Sequence, residues 1–337
     1  MSNSALLISS VRVLQDVEVK PGVKFPIYGT GWQNGDQVTF SGSNGVFTVS
    51  PTSIDNGRAV FTLTAITSGQ YTISLTRGSE TQNLGSTTLT TVSELPQGCR
   101  VVCHRGVHDN GAYTENSRAA LRKGLEGDYY AVECDIYKSA DGYLYVIHDS
   151  KVSSIDGYHF QKNWSDIKNY KLGNQETMPL LVDFFEILKE STNKNTKLIV
   201  EIKTQLTDAA TQSVATAAMD AAEIRGVSDR VEFIAFNYAA CQTIANRGYK
   251  IAYLCGNDGV VRSPSTLKSA GMSGLDYIPS KITWSADDIR AAGITSNVWT
   301  IDSESDIARM NKLGYDFLTT NNPELAQLYY RYYNENQ

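Results

Sequence analysis

Hydrophobic and polar positions alternate along this chain in two rhythms, and the change falls near residue 96. Ahead of it, short runs alternate apolar and polar side chains: Val11-Arg12-Val13-Leu14, Gln37-Val38-Thr39-Phe40, Ala59-Val60-Phe61-Thr62-Leu63, Tyr71-Thr72-Ile73-Ser74-Leu75 and Ser86-Thr87-Thr88-Leu89. A period of two puts every second side chain on one face, the pattern of a half-buried strand. The runs end in turn chemistry such as Asn34-Gly35-Asp36, Asn44-Gly45, Asn56-Gly57 and Ser68-Gly69. Several short strands with polar turns predict an immunoglobulin-like β-sandwich over residues 1–96.

Behind residue 96 the rhythm becomes short apolar runs separated by amphipathic stretches. The runs fall at 100–103, 130–136, 198–202, 231–235, 251–254, 275–278, 297–300 and 315–318. Helices are predicted between them, for instance over 208–225 and 303–313, the latter opening on a Ser-Glu-Ser-Asp cluster suited to a helix N-terminus. Eight β/α alternations predict a (β/α)8 TIM barrel over residues 97–337, close to the usual length of about 250 residues. A doubly wound open sheet is the alternative, but no Gly-rich phosphate loop follows an early strand to favour it.

Charge follows the same division. Residues 1–96 hold five Lys/Arg and six Asp/Glu, against 25 and 30 in the remainder. The whole chain carries a net charge of −6 without any Lys/Arg cluster, so nucleic acid is not the expected partner. No apolar run approaches the roughly 18–20 residues of a transmembrane helix. The five cysteines lack CxxC spacing, which indicates neither a zinc knuckle nor a disulfide framework. The opening MSNSALLISS does not read as a signal peptide. A Ser/Thr-rich sandwich ahead of a barrel nevertheless suggests a periplasmic, surface or secreted bacterial protein. The front region holds no His and no Cys, so its expected role is structural, a spacer, or contact with a cell surface or carbohydrate. Trp32 is expected to be buried in the sandwich rather than to stack on a ligand.

In a parallel barrel, chemistry gathers at the C-terminal ends of the strands. The first run there ends in His104-Arg105-Gly106; the second carries Glu133 and Asp135, and the third Glu201 and Lys203. The seventh ends at Trp299 and the eighth in Thr319-Thr320-Asn321. Period two places Glu133 and Asp135 on one face of their strand, and Glu201 and Lys203 on one face of theirs. Two like charges about 4 Å apart repel by about 4 kcal/mol at an effective dielectric of 20, and Lys203 alone cannot neutralise three carboxylates. Either some are protonated, or a divalent cation sits among them. All-oxygen ligation selects Mg2+ or Ca2+ over zinc. Downstream, Ser139-Ala140-Asp141-Gly142 reads as a tight turn into a returning strand that ends in His148-Asp149. His104 and His148 suit an acid/base pair, since imidazole titrates near neutral pH, while His108 and His159 read as loop or rim residues.

In order, these residues resemble the glycerophosphodiester phosphodiesterase family. The resemblance rests on His104-Arg105-Gly106, Glu115-Asn116, Glu133-Cys134-Asp135, Asp141-Gly142, His148-Asp149, Met178-Pro179-Leu180-Leu181, Glu201-Ile202-Lys203, Val298-Trp299-Thr300 and the run from Gly314 to Pro323. It covers about residues 97–335 and leaves the front region out. It implies that Glu133, Asp135 and Glu201 hold one divalent cation, that His104 and His148 are the acid/base pair, and that Arg105 and Lys203 contact the phosphate. Glu115 matches a family position near the metal, as a ligand or as a residue that orders its loop, and Trp299 would line the glycerol or leaving-group pocket. The implied reaction is hydrolysis of a glycerophosphodiester to glycerol 3-phosphate and an alcohol, through a cyclic phosphate that water opens. The chain departs from the family at Thr320-Asn321-Asn322-Pro323, where Thr-Asp-x-Pro is common; Asn can still cap a helix. The segment 150–177 is short where relatives often insert a cap, which implies an open site. Two other readings stay open: a barrel phosphodiesterase for lysophospholipid or inositol phosphate headgroups, and an inactive surface-binding protein.

Overall fold

The structure is a computed structural model that describes residues 7–55, 57–109, 111–256 and 260–337. Asn56 of the expected Asn56-Gly57 turn, and most of the MSNSALLISS start, lie outside the described residues. The chain divides into two compact units. One comprises Met1–Cys99 with Ser303–Gly314 and Leu325–Gln337, and the other Arg100–Asp302 with Tyr315–Glu324.

The first unit opens with strands β1 (Ser9–Val13), β2 (Asp16–Val19), β3 (Val23–Thr30), β4 (Gln37–Gly42), β5 (Gly45–Val49), β6 (Ser53–Asp55), β7 (Arg58–Leu63), β8 (Gly69–Arg77) and β9 (Glu80–Thr91). They form two sheets, in the orders β1-β3-β7-β6 and β2-β9-β8-β4-β5, antiparallel except for the β2–β9 pair. Their inner faces meet through alternate residues: Phe25 of β3 packs edge-on against Phe40 of β4 at 5.7 Å between ring centroids. Trp32 is buried against Phe61 as expected. The sequence pattern passed over β3, whose Pro26 interrupts a strand signature. Sandwich aromatics dominate this core, and its one buried carboxylate among the described residues, Asp36, is closed by Arg77.

The second unit carries every residue named for chemistry. Its elements run β10 (Arg100–Cys103), α1 (Arg118–Glu126), β11 (Ala131–Lys138), β12 (Leu144–Val146), α2 (Trp164–Ile167), α3 (Leu181–Glu190), β13 (Lys197–Ile202), α4 (Asp208–Arg225), β14 (Val231–Ala235), α5 (Tyr238–Asn246), β15 (Ile251–Cys255), α6 (Pro264–Ser269), β16 (Gly274–Tyr277), α7 (Ala286–Ala291), β17 (Thr295–Val298) and β18 (Phe317–Thr320). Helices α8 (Glu304–Lys312) and α9 (Pro323–Asn334) complete the chain and fall mainly in the first unit.

Strands β10, β11, β13, β14, β15, β16, β17 and β18 pair in parallel, and β10 pairs with both β18 and β11, which closes the barrel. The strands are buried nearly throughout, as β11 shows, because helices cover their outer faces. Helix α4 shows why the intervening stretches are helical. Thr207 caps it by accepting the Ala210 N–H, Asp208 lies in its first turn and Arg225 in its last, and Gly226 ends it at φ 67°. Below the site, Val102, Ala131, Ile199 and Phe317 pack into one layer, so the barrel centre is core. The Ser139–Gly142 turn returns β12 antiparallel to β11, with Ile136 opposite Val146. That hairpin delivers His148 to the barrel mouth. Among the described residues, no helix is long and apolar enough to cross a membrane.

Candidate active site

Most of the candidate side chains are placed by strand ends, and several are held by residues distant in sequence. After β10 the chain turns through Arg105 at φ 54° and Gly106 at φ 92°. A Cβ on Gly106 would lie 2.7 Å from the Ala120 Cβ and 2.9 Å from the Ala120 carbonyl carbon, so only glycine lets α1 come this close. The turn aims the Arg105 N–H at Glu133 Oε2, 2.8 Å away. Asn116, also left-handed at φ 58°, donates from Nδ2 to Asp135 Oδ2 at 2.9 Å and accepts the Asp135 N–H through Oδ1 at 3.1 Å.

Glu133, Asp135 and Glu201 converge as period two requires, with one ligand oxygen from each lying within 4.8 Å of the others. All three are buried. Lys203 Nζ lies 2.9 Å from Glu201 Oε1 and 3.4 Å from Asp135 Oδ1, and Arg105 Nε lies 3.6 Å from Asp135 Oδ2. Two cations thus face three carboxylates, and Glu133 Oε1 is buried without a hydrogen-bond partner. Burial and the two neighbouring carboxylates push the Glu133 carboxyl well up, and burial with Asp135 pushes Glu201 up to about 7. Asp135 goes the other way: burial raises it, but Lys203, His148, Arg105 and the Asn116 hydrogen bond bring it down to about 2. Three oxygen donors with a charge deficit and one orphaned oxygen fit a hard divalent cation.

Glu115 stands apart from this cluster. Both its oxygens accept from Arg105 Nη1, at 3.0 and 3.1 Å, so it orders the arginine.

His104 and His148 both line a cavity of about 120 Å3 with Arg105, Glu133, Glu201, Lys203 and Trp299. His148 Nδ1 bonds Asp149 Oδ1 at 2.8 Å. His104 Nδ1 instead meets an amide oxygen, Asn321 Oδ1, at 2.7 Å. Burial and the Arg105 charge lower His104 to about 4. Trp299 packs edge-on against Phe236 at 5.7 Å. Deeper in the cavity, Asn297 Nδ2 bonds Asp276 Oδ2 at 3.1 Å and Thr319 Oγ1 at 2.8 Å. His148, Lys203 and Phe236 also line a wider open groove with Tyr158, Tyr238 and Arg262.

Two expectations about the remaining residues need correction. His159 is not at the rim: it is fully buried, bonding Tyr145 Oη through Nδ1 at 2.6 Å and the Asp149 carbonyl through Nε2 at 2.5 Å. The short segment around it folds inward over Tyr137, Tyr145, Phe160, Ile167 and Met178, an apolar seat that a lone histidine in a polar stretch does not advertise. The side chain of Asn321 turns to His104 and His108 rather than to a helix N-terminus, bonding His108 Nε2 at 3.0 Å. Asp302 and Asn297 carry no local signal in the sequence, and Asn116 enters there only as part of the Glu115-Asn116 motif, without a role of its own.

Residues 104–325 match the glycerophosphoryl diester phosphodiesterase family model, about two thirds of the chain. The chain belongs to that family. A glycerophosphodiester phosphodiesterase of Caldanaerobacter subterraneus subsp. tengcongensis is 25% identical over 66% of this chain and 94% of its own length. A crystal structure of a glycerophosphodiester phosphodiesterase from Parabacteroides distasonis superposes with a TM-score of 0.65 at 28% identity, covering 71% of this chain and 98% of that one. An Oleispira antarctica phosphodiesterase, solved in complex with its product sn-glycerol-3-phosphate, superposes at 0.59 with 23% identity over 69% of this chain and 96% of that one. As a glycerophosphodiester phosphodiesterase family member, this chain is a phosphoric diester hydrolase on a TIM barrel, which removes the inactive binding-protein reading.

Proposed function

We propose that this phosphodiesterase is metal-dependent and cleaves glycerophosphodiesters to glycerol 3-phosphate and an alcohol by two-histidine acid/base chemistry. The observation that carries the reading is the lining of one cavity by His104, His148, Arg105, Lys203 and the Glu133/Glu201 side of the acidic cluster. The product bound by the Oleispira antarctica enzyme supports the substrate class.

Glu133, Asp135 and Glu201 would hold the ion, Mg2+ or Ca2+, with Glu133 Oε1 as the oxygen still lacking a partner. A bound divalent cation supplies Lewis-acid stabilisation of charge on phosphoryl oxygens. Around it, Lys203 and Arg105 present their charges to the non-bridging oxygens, where they stabilise the pentacoordinate transition state. One histidine removes the proton of the glycerol hydroxyl next to the phosphoryl group, and the other protonates the departing alcohol. The cyclic phosphate so formed is opened by water with the histidine roles exchanged. Each proton transfer contributes about 10²–10⁴ in rate, so positioned charge must supply the remainder. The groove beside His148 gives the leaving alcohol room, with Trp299 closing the glycerol side.

The test is turnover of glycerophosphocholine, with and without EDTA, by the wild type and by His104→Ala and His148→Ala. We expect release of glycerol 3-phosphate that EDTA abolishes and that each variant loses by at least about 10³-fold. Near wild-type turnover in either variant, or indifference to EDTA, overturns the reading. Faster turnover of lysophosphatidylcholine would move the substrate class to lysophospholipids.

A further inference from the structure

We infer that Asp302 is a positioning residue for His104, acting through Asn321 to fix which nitrogen of the imidazole carries the proton. The inference rests on the reading of His104 as one of the acid/base pair, and extends it to residues outside the cavity.

The chain of contacts leaves little chemical freedom. Asp302 accepts three hydrogen bonds: from the Asn321 backbone N–H to Oδ1 at 2.7 Å, from Asn321 Nδ2 to Oδ2 at 2.9 Å, and from Thr320 Oγ1 to Oδ1 at 3.2 Å. A carboxylate at neutral pH only accepts, so the Asn321 atom facing Asp302 must be the NH2 group. The other end of the amide is then an oxygen, and an amide oxygen also only accepts. That oxygen lies 2.7 Å from His104 Nδ1 and 3.0 Å from His108 Nε2. Both ring nitrogens must therefore carry hydrogens. In neutral His104 the proton sits on Nδ1, and the lone pair sits on Nε2, the nitrogen left free for proton transfer.

Without the carboxylate, nothing distinguishes the two ends of the Asn321 amide. An amide turned through 180° would offer NH2 to His104 Nδ1 and draw the ring into the opposite tautomer, with Nε2 already protonated. Asp302 prevents this from outside the residues that line the cavity. Asn321 thus meets the ring with an uncharged acceptor, while Asp302 supplies the orientation.

Nitrogen NMR tests this directly, because four histidines give a countable spectrum. In the full chain labelled with 15N-histidine, His104, assigned by its loss in His104→Gln, should show Nδ1 protonated and Nε2 unprotonated near neutral pH. In Asp302→Asn we expect a mixture of tautomers and a fall in kcat of about ten- to hundredfold, with KM changed by no more than about threefold. The double variant Asp302→Asn/Asn321→Asp places a carboxylate on His104 Nδ1 and an amide behind it. It should restore the Nδ1–H tautomer and recover at least about tenfold of the lost kcat. If Asp302 merely tethers the Asn321 backbone, the oxygen remaining in Asp302→Asn still accepts that N–H. The tautomer and kcat then stay as in the wild type, which overturns the inference. Should Asp302→Asn fail to fold, Asn321→Ala keeps the Asp302 backbone contact, and an unchanged His104 tautomer there overturns it equally. A His104→Ala variant that keeps its turnover defeats the acid/base reading instead, without altering the tautomer result.

Discussion

Buried carboxylates occur in both units, and they are treated in opposite ways. In the sandwich, Asp36 is 1% exposed and has its charge fully met: Arg77 Nε and Nη2 donate to its two oxygens at 2.6 and 2.8 Å, and the Gln33 N–H adds a third bond at 2.9 Å. In the barrel, Glu133 is 2% exposed, sits with two other carboxylates against two cations, and keeps one oxygen unsatisfied. Burying a charge costs several kcal/mol unless it is paired and hydrogen-bonded. The sandwich meets that cost internally. The barrel leaves it open, and an open account of charge at a strand end is what a cation or an anionic substrate can close.

The largest effect expected from this contrast is on activity. Glu133→Gln keeps an acceptor for the Arg105 N–H but removes a negative charge from the cluster. We expect kcat/KM to fall by about 10³-fold, roughly 4 kcal/mol, if the cation is lost. The melting temperature of the EDTA-treated protein should stay level or rise, because the substitution relieves repulsion with Asp135 and Glu201. A destabilised variant of normal activity would reverse the comparison.

Asp36→Asn should do the converse. Removing one member of a buried pair leaves Arg77 without its counter-charge, at a cost of about 3 kcal/mol, readable by denaturant unfolding. Arg77 is partly exposed, which limits the cost. Turnover of the folded fraction should be unaltered; a loss of activity equal to that of Glu133→Gln would show that the sandwich takes part in the chemistry.

Asp36 and Asp276, one buried carboxyl from each unit, should contribute to the pH dependence of stability with opposite signs. For Asp36, burial acts upward, but the Arg77 hydrogen bonds, the Gln33 N–H and the Arg77 charge outweigh it, and the carboxyl sits below its ordinary value. Its stabilisation is present above the unfolded value near 4 and is lost as pH falls through the lower folded value. Asp276, in the barrel interior, is raised to about 7, chiefly by burial. Between about pH 4 and pH 7 the unfolded chain ionises there while the folded one does not, so stability declines as pH rises and levels off above 7. Asp276→Asn should flatten that decline and Asp36→Asn should remove the gain. Parallel pH profiles in the two variants would contradict both assignments.

The same contrast explains what could be read from the chain and what could not. All eight barrel strands, the α4 helix, and the convergence of Glu133, Asp135, Glu201 and Lys203 follow from periods of two and 3.6, which are local signals. The partners that finish the site are not local. Asn321 reaches His104 across 217 residues, and Asn116 reaches Asp135 across 19. No periodicity marks an asparagine whose role is to orient something else. His159 lacks a local signal for a related reason: a lone histidine reads as a loop or rim residue, whereas packing against Tyr137 and hydrogen bonds to Tyr145 and the Asp149 carbonyl decide its place.

The smallest expected effect concerns Glu115, where sequence left two roles open. As a metal ligand it would belong with the unsatisfied barrel carboxylates, and Glu115→Gln would cost as much as Glu133→Gln. The geometry puts it with the satisfied ones: both oxygens are spent on Arg105 Nη1, and its side chain is 42% exposed. A partly exposed ion pair contributes only about 0–1 kcal/mol. Glutamine keeps one acceptor for Arg105, so the guanidinium loses charge compensation but not its anchor. We expect KM to change by about two- to fivefold, through looser placement of the arginine, with kcat nearly constant and metal affinity by titration unchanged. A drop in metal affinity would move Glu115 across the divide and make the cluster one of four acids.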